Sequence, residues 1–140
     1  MDTTYFSLYA NGGTMTFNDV ETENFELERY NYWLNEGESL KDVMNGDVVN
    51  SAILKSVQKE DFIFTGWTVY SADSLNWSND EVIAEGTQNF LYDPNDDDFK
   101  YMYLENCTLY NENATTEEIS KITYNGKHYY AFANWEPIKD

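Results

Sequence analysis

Asp61 to Ser71, Asp-Phe-Ile-Phe-Thr-Gly-Trp-Thr-Val-Tyr-Ser, is the most apolar β-prone run in the chain, and it limits the fold more than any other stretch. Phe62, Phe64, Gly66, Thr68 and Tyr70 fall on one side of a strand by period two. Ile63, Thr65, Trp67 and Val69 fall on the other. Large side chains on both sides predict a strand with a core behind it and partial cover in front. Gly66 stands where glycine weakens a strand interior. That placement predicts a bulge or a close packing contact beside Trp67, with Trp67 central in the core. The run contains no reactive group, which bears on every reading of function.

The chain around this strand leans to β structure. Aromatic residues make up 17% of its 140 positions, and aromatic and β-branched side chains favour pleated, half-buried surfaces. The length fits one domain, or at most two very small ones. Tyr5 to Ala10 is β-prone and is followed by Asn11-Gly12-Gly13 and then Thr14 to Phe17. Asn-Gly accepts the positive φ angles of a type I′ turn, so a tight turn is expected there. Phe25 to Leu34 reads as one strand whose alternation shifts near Arg29, as a bulge would produce. Ser39 caps a short helix over Leu40 to Met44, with Asp42 completing a capping box. A second helical piece is expected over Ala52 to Gln58, with Ile53, Leu54 and Val57 on one face and Asn50 or Ser51 as its cap.

Past the central strand the pattern is more broken. Glu81 to Ala84 and Asn89 to Tyr92 are short apolar runs, and Asp93 to Asp98 has loop composition. Phe99 to Tyr110 returns to alternation, and Thr115 with Glu118 can cap one helical turn. Ile119 to Tyr124, then Asn125-Gly126, then Lys127 to Trp135 is the cleanest hairpin signal in the chain. The last five residues read as the start of a linker.

Three of these pieces line up. An early strand ends in Tyr9-Ala10-Asn11-Gly12-Gly13-Thr14, a middle one reads Phe62-Ile63-Phe64-Thr65-Gly66-Trp67, and a final one reads Tyr130-Ala131-Phe132-Ala133-Asn134-Trp135. In that order they resemble the Listeria–Bacteroides repeat, the internalin-type B-repeat. Gly37-Glu38-Ser39-Leu40 is similar to the family's lead into its helix. The resemblance covers both ends and the middle of the chain, which is about twice the length of family members, and Phe132 and Asn134 depart from the family's final pattern. It implies an α+β, β-grasp-like module with a mostly antiparallel sheet, one short helical segment and an inserted hairpin. Residues 1–140 then form a single extracellular module, with 72–124 as the insertion. The resemblance further implies a non-enzymatic unit of a bacterial surface or secreted protein, a spacer or an adhesive module, often in tandem. Such a unit would be a monomer within a multi-domain chain, with its localisation signal outside this segment.

Chemistry-bearing residues are sparse. One cysteine, Cys107, excludes an intramolecular disulfide, and one histidine, His128, removes most histidine-based catalysis and metal binding. His128 follows a tight turn beside Lys127, which predicts an exposed residue. Asp93, Asn95 and Asp97 have the first, third and fifth spacing of a calcium loop, but Asp98 stands where that loop needs glycine and Leu104 where it needs glutamate. The stretch therefore reads as a solvated acidic turn, with a weak calcium site as the second reading. No carboxylate pair stands out as an acid–base couple, so no catalytic residue, cofactor or metal is assigned. The remaining handle is aromatic: Tyr30, Tyr32, Trp33, Trp77 and Tyr129 are candidates for a patch that binds a protein or a surface glycan. The competing reading is that these rings cover the two sides of a sheet. A carbohydrate-binding module is the alternative function.

The chain carries 26 acidic and 8 basic residues, a formal net charge of −18. A field of that sign repels phosphate backbones and anionic membranes, so neither nucleic acid nor a membrane surface is an expected partner. No apolar run reaches the roughly 18 residues of a spanning helix. Repulsion among the carboxylates opposes compaction at low salt. Adding about 0.15 M monovalent salt, which shortens the Debye length to about 8 Å, should therefore raise the melting temperature. An unchanged or lower value in a thermal melt would mean that favourable ion pairs outweigh the net repulsion.

Overall fold

The computed structural model describes residues 3–18, 23–46, 52–73 and 107–139. Within them the chain forms strands β1 (Thr4–Tyr9), β2 (Thr14–Asn18), β3 (Asn24–Leu27) and β4 (Arg29–Leu34), helix α1 (Leu40–Met44), strands β5 (Ile53–Gln58), β6 (Phe62–Ala72) and β7 (Thr108–Ala114), helix α2 (Thr116–Ser120) and strand β8 (His128–Pro137). The class is α+β, with strands predominating. A five-stranded sheet has the order β4-β1-β8-β6-β7, and a three-stranded sheet the order β3-β2-β5. In the larger sheet β1 is antiparallel to β4 but parallel to β8, while β8 pairs antiparallel with β6, and β6 antiparallel with β7. One core cluster joins the inner face of this sheet (Phe6, Leu8, Tyr32, Trp67, Val69, Tyr129) to Met15 and Phe17 of β2, to Leu40 and Val43 of α1, and to Ile119 of α2.

The central strand is where the sequence put it. Trp67 and Val69 are fully buried, and the Trp67 indole N–H donates to Thr116 Oγ1 at 2.9 Å. A bulge falls between Phe64 and Gly66, where Phe64 pairs with Trp135, Gly66 with Asn134, and Thr65 is the extra residue. The bulge reverses the strand's phase. Phe64 therefore joins Trp67 on the inner side, with ring centroids 5.1 Å apart, and Ile63 is exposed. Gly66 has φ 152°, and a Cβ there would meet the Asn113 side chain and lie 3.0 Å from the Ala114 carbonyl oxygen. Glycine is needed because β7 passes too close for any side chain.

Asn11 and Gly12 do take positive φ, 53° and 98°. A type I′ turn would leave β1 and β2 paired, yet they lie in different sheets. The reason is a shortage of edges: β1 already has β4 on one side and β8 on the other, so β2 has no free edge to join. The turn is instead a corner that carries the chain across the core. Trp135 covers it, donating its indole N–H to the Ala10 carbonyl at 2.9 Å, and a Cβ on Gly13 would strike the Trp135 ring. A second corner at Glu28 splits the expected Phe25–Leu34 strand into β3 and β4, again in different sheets; Ala10 N–H donates to the Glu28 carbonyl at 2.9 Å. A third corner, with Asp61 at φ 68°, passes from β5 to β6.

The same edge argument corrects the hairpin expected at Asn125-Gly126. β8 is flanked by β1 and β6, so residues before the turn cannot pair with it. They form α2 instead, started by Thr115 and Glu118 in a complete capping box, and Thr123 makes an isolated bridge to Ser39. The described residues thus hold two short helices rather than one. Helix α1 is as expected, with the Ser39–Asp42 capping box formed and Leu40, Val43 and Met44 buried. The second helical piece is not: Ala52 to Gln58 enters strand β5, paired along β2. Its apolar residues satisfied either period, and the free edge of β2 decided between them. The expected short strand at Glu81–Ala84 and the Asn89–Tyr92 run lie outside the described residues, as does most of the expected insertion over 72–124, whose described part holds β7, paired with β6, and α2.

Truncation of the central indole gives the first structural test. Trp67→Ala should cost about 3–5 kcal/mol, as for large aromatic truncations in cores. A domain of this size has roughly 5–15 kcal/mol in total, so the variant sits near unfolding. A loss below about 1 kcal/mol in a urea titration would remove Trp67 from the centre of the core.

Candidate functional site

Among the described residues, the aromatic candidates do not form one patch. Tyr32 is 2% exposed, and its phenol donates to the Ala52 carbonyl at 2.7 Å; the Tyr30 phenol accepts from Ala52 N–H at 3.3 Å. Their rings meet edge to face at 4.8 Å, and Tyr30 also packs on Phe17 at 4.5 Å. Both side chains fasten the start of β5 beneath the large sheet. Tyr129 is 3% exposed, stacks on Phe6 at 5.6 Å, and its phenol accepts from Asn125 Nδ2 at 2.7 Å. Trp77, together with Asp93, Asn95 and Asp97, lies outside the described residues. Trp33 is 47% exposed on the edge strand β4.

The alternation of β4, β1 and β8 builds the surroundings of Trp33. Tyr5 is opposite Trp33 in one register and opposite His128 in the other, which lines the three rings across the outer face of the sheet. Tyr5 meets Trp33 edge to face at 4.2 Å and lies 5.3 Å from His128. His128 is buried, not exposed as its place after a turn suggested. It starts β8 in the middle of the sheet, and its Nδ1 accepts from Tyr5 N–H at 3.3 Å. Sequence reasoning missed Tyr5 beside Trp33 and His128 beside Tyr5, because these contacts come from the antiparallel β1–β4 and parallel β1–β8 registers, which no local pattern encodes.

Further along the outer face, Tyr9 stacks on Phe132 at 4.6 Å, Tyr130 is fully buried, and Tyr70 and Cys107 pack against them. Arg29 is buried beside Tyr9. Burial pushes the Tyr9 phenol up to about 12, against a smaller lowering by Arg29, and burial lowers Arg29 from its usual range. Burial also pushes the Cys107 thiol up, which keeps it a thiol rather than a nucleophilic thiolate. Among the described residues no three of His, Cys, Asp and Glu gather as metal ligands, and no helix is long and apolar enough to cross a membrane.

What the described residues offer chemically is a five-stranded sheet, one open indole at its edge and a buried tyrosine–arginine layer. No protein-family model, no curated protein and no solved structure matches this chain.

The buried phenols set a pH limit. Tyr9 has a folded value above its ordinary 10.0, so the folded state holds its proton where the unfolded chain has lost it. Its contribution is complete below pH 10.0 and is lost as pH rises toward about 12. Tyr32 and Tyr129 are raised by burial too and act in the same sense, while Arg29, lowered by burial, acts in the opposite one. Stability should therefore fall by on the order of 1–3 kcal/mol between about pH 10 and pH 12. Tyr9→Phe should make that fall shallower in denaturant titrations across the window. An identical slope in the variant would show that Tyr9 ionises as freely in the folded chain as in the unfolded one.

Proposed function

We propose that the chain is a non-enzymatic, β-grasp-like module of a bacterial surface or secreted protein, and that it serves as a load-bearing spacer. If the strands of the five-stranded sheet are renumbered by their own order in the chain (β1, β4, β6, β7, β8 as one to five), the spatial order β4-β1-β8-β6-β7 becomes 2-1-5-3-4. Its first and last strands are central and parallel, and α1 falls between the second and third. That order supports the β-grasp reading, with the three-stranded sheet as an addition to it. The three stretches that carry the B-repeat resemblance also meet at one end of the sheet. Trp135 lies over Gly13, pairs with Phe64 and contacts its ring at 5.8 Å.

The observation that carries the spacer reading is the parallel pairing of β1 with β8. Tyr5 is level with His128 and Tyr9 with Phe132, and β8 then runs on to Pro137. The two terminal strands therefore leave the sheet at opposite ends, separated by about 3.3 Å for each residue of β8. Tension along the chain loads the β1–β8 ladder in shear, so its hydrogen bonds must yield together. Tension across an antiparallel pair from its open end breaks them one at a time.

Trp33, as an exposed ring on an edge strand, is the natural place for an adhesive contact. A sugar-binding strip would need several such rings side by side, and Tyr32 and Tyr129 are turned into the core.

Single-molecule pulling tests the reading. Tethers at Thr3 and Lys139 load β1 and β8 in shear, whereas tethers at Thr3 and Asn35 peel β1 from β4, because Thr4 is opposite Leu34. The shear geometry should need a several-fold higher force at the same loading rate. Equal forces in the two geometries would sink the load-bearing role.

A further inference from the structure

We propose that Asn45 is a site of spontaneous deamidation and isoaspartate formation, singled out by the fold from among three Asn-Gly pairs. The pairs are Asn11-Gly12, Asn45-Gly46 and Asn125-Gly126. In each, the backbone nitrogen of the glycine can attack the asparagine Cγ, since glycine has no side chain to obstruct the approach. The new N–Cγ bond forms as the Cγ–Nδ2 bond breaks, and ammonia leaves. Water then opens the resulting succinimide at either carbonyl, giving aspartate or isoaspartate with no change of oxidation state. The reaction needs a side-chain amide free to turn and a backbone N–H free to lose its proton.

The fold restrains two of the pairs. Asn125 donates from Nδ2 to the Tyr129 phenol at 2.7 Å and accepts at Oδ1 from Lys127 N–H at 2.8 Å, while Gly126 N–H is bound to Thr4 Oγ1 at 2.9 Å. Asn11 donates from Nδ2 to the Ala133 carbonyl at 2.9 Å, in the corner under Trp135. Asn45 differs. It is exposed at the C-terminal cap of α1, and among the described residues its side chain makes no hydrogen bond. The attacking nitrogen, Gly46 N, donates to the Val43 carbonyl at 3.3 Å, beyond the usual range for such a bond. The backbone at Asn45, with ψ 2°, must rotate for the attack. A helix of five residues is marginal by itself, and its last turn opens readily.

The product matters to the fold. It places a new negative charge at the C-terminal end of α1, where the helix dipole is already negative, in a chain of net charge −18. Isoaspartate also lengthens the main chain by one carbon next to the buried Val43 and Met44. Conversion at Asn45 therefore loosens α1 and ages the domain from one defined position.

The test is peptide mapping by mass spectrometry of the folded chain after incubation at mildly alkaline pH and physiological temperature, with isoaspartyl methyltransferase labelling to mark the rearranged product. In the folded chain Asn45 should convert at least about tenfold faster than Asn11 and Asn125, the ratio implied by one or two net hydrogen bonds lost on each opening. In urea, where those bonds are gone, the three rates should converge. Tyr129→Phe, which removes the phenol that Asn125 Nδ2 donates to, should raise conversion at Asn125 and leave Asn45 unchanged. The proposal is overturned if Asn11 or Asn125 keeps pace with Asn45 in the folded chain. It is equally overturned if Asn45 stays intact there while converting in urea, or if Tyr129→Phe leaves Asn125 as protected as before.

Discussion

A β-strand has two edges, and the parallel pairing of β1 with β8 uses one edge of each. β4 takes the other edge of β1, and β6 the other edge of β8. The rest of the topology follows from that constraint. β2 cannot fold back on β1, so the chain turns a corner at Asn11-Gly12 and builds a second sheet. The segment before Asn125 cannot fold back on β8, so it becomes helix α2 and a single bridge to Ser39. A parallel pair needs a long connection between its strands, and here nearly the whole chain supplies it.

The first corner and the bulge in β6 are each held by a close contact at a glycine. Trp135 sits on Gly13 and binds the Ala10 carbonyl, and β7 lies against Gly66. The bulge before Gly66 then turns Phe64 inward beside Trp67 and Trp135, which closes one end of the core with aromatic rings. One residue inserted into β6 thus connects the strand's pairing and its packing with Trp135, the ring that covers the Asn11–Gly13 corner.

The aromatic residues serve both faces of the large sheet. On the inner face Phe6, Tyr32, Trp67 and Tyr129 fill the space over α1 and the smaller sheet; on the outer face Tyr9, Tyr130 and Phe132 form a second buried layer. Buried tyrosines need a partner for the phenol, and the backbone at Ala52 and the side chain of Asn125 supply two of them. Between described residues the ion pair is Lys127–Asp73, 3.9 Å apart and well exposed, so it adds little. Cohesion comes from packing and ladders, against a strongly negative surface.

The sequence by itself determined what depends on neighbours along the chain. The capping boxes at Ser39–Asp42 and Thr115–Glu118, the positive φ angles at Asn11-Gly12, the strand at Phe62–Ala72 and the burial of Trp67 are local facts of residue type and period. Only the tertiary structure decided which strand lies beside which. It made a strand of Ile53–Gln58, divided Phe25–Leu34 at Glu28, dissolved the hairpin signal at Asn125-Gly126 and buried His128. It also left Trp33 outside while turning its immediate neighbour Tyr32 into the core, an alternation whose direction depends on which side of β4 the core lies. The physical reason is that a turn or a periodic pattern states what a segment can do, whereas a strand's free edges are known only once every other strand has been placed.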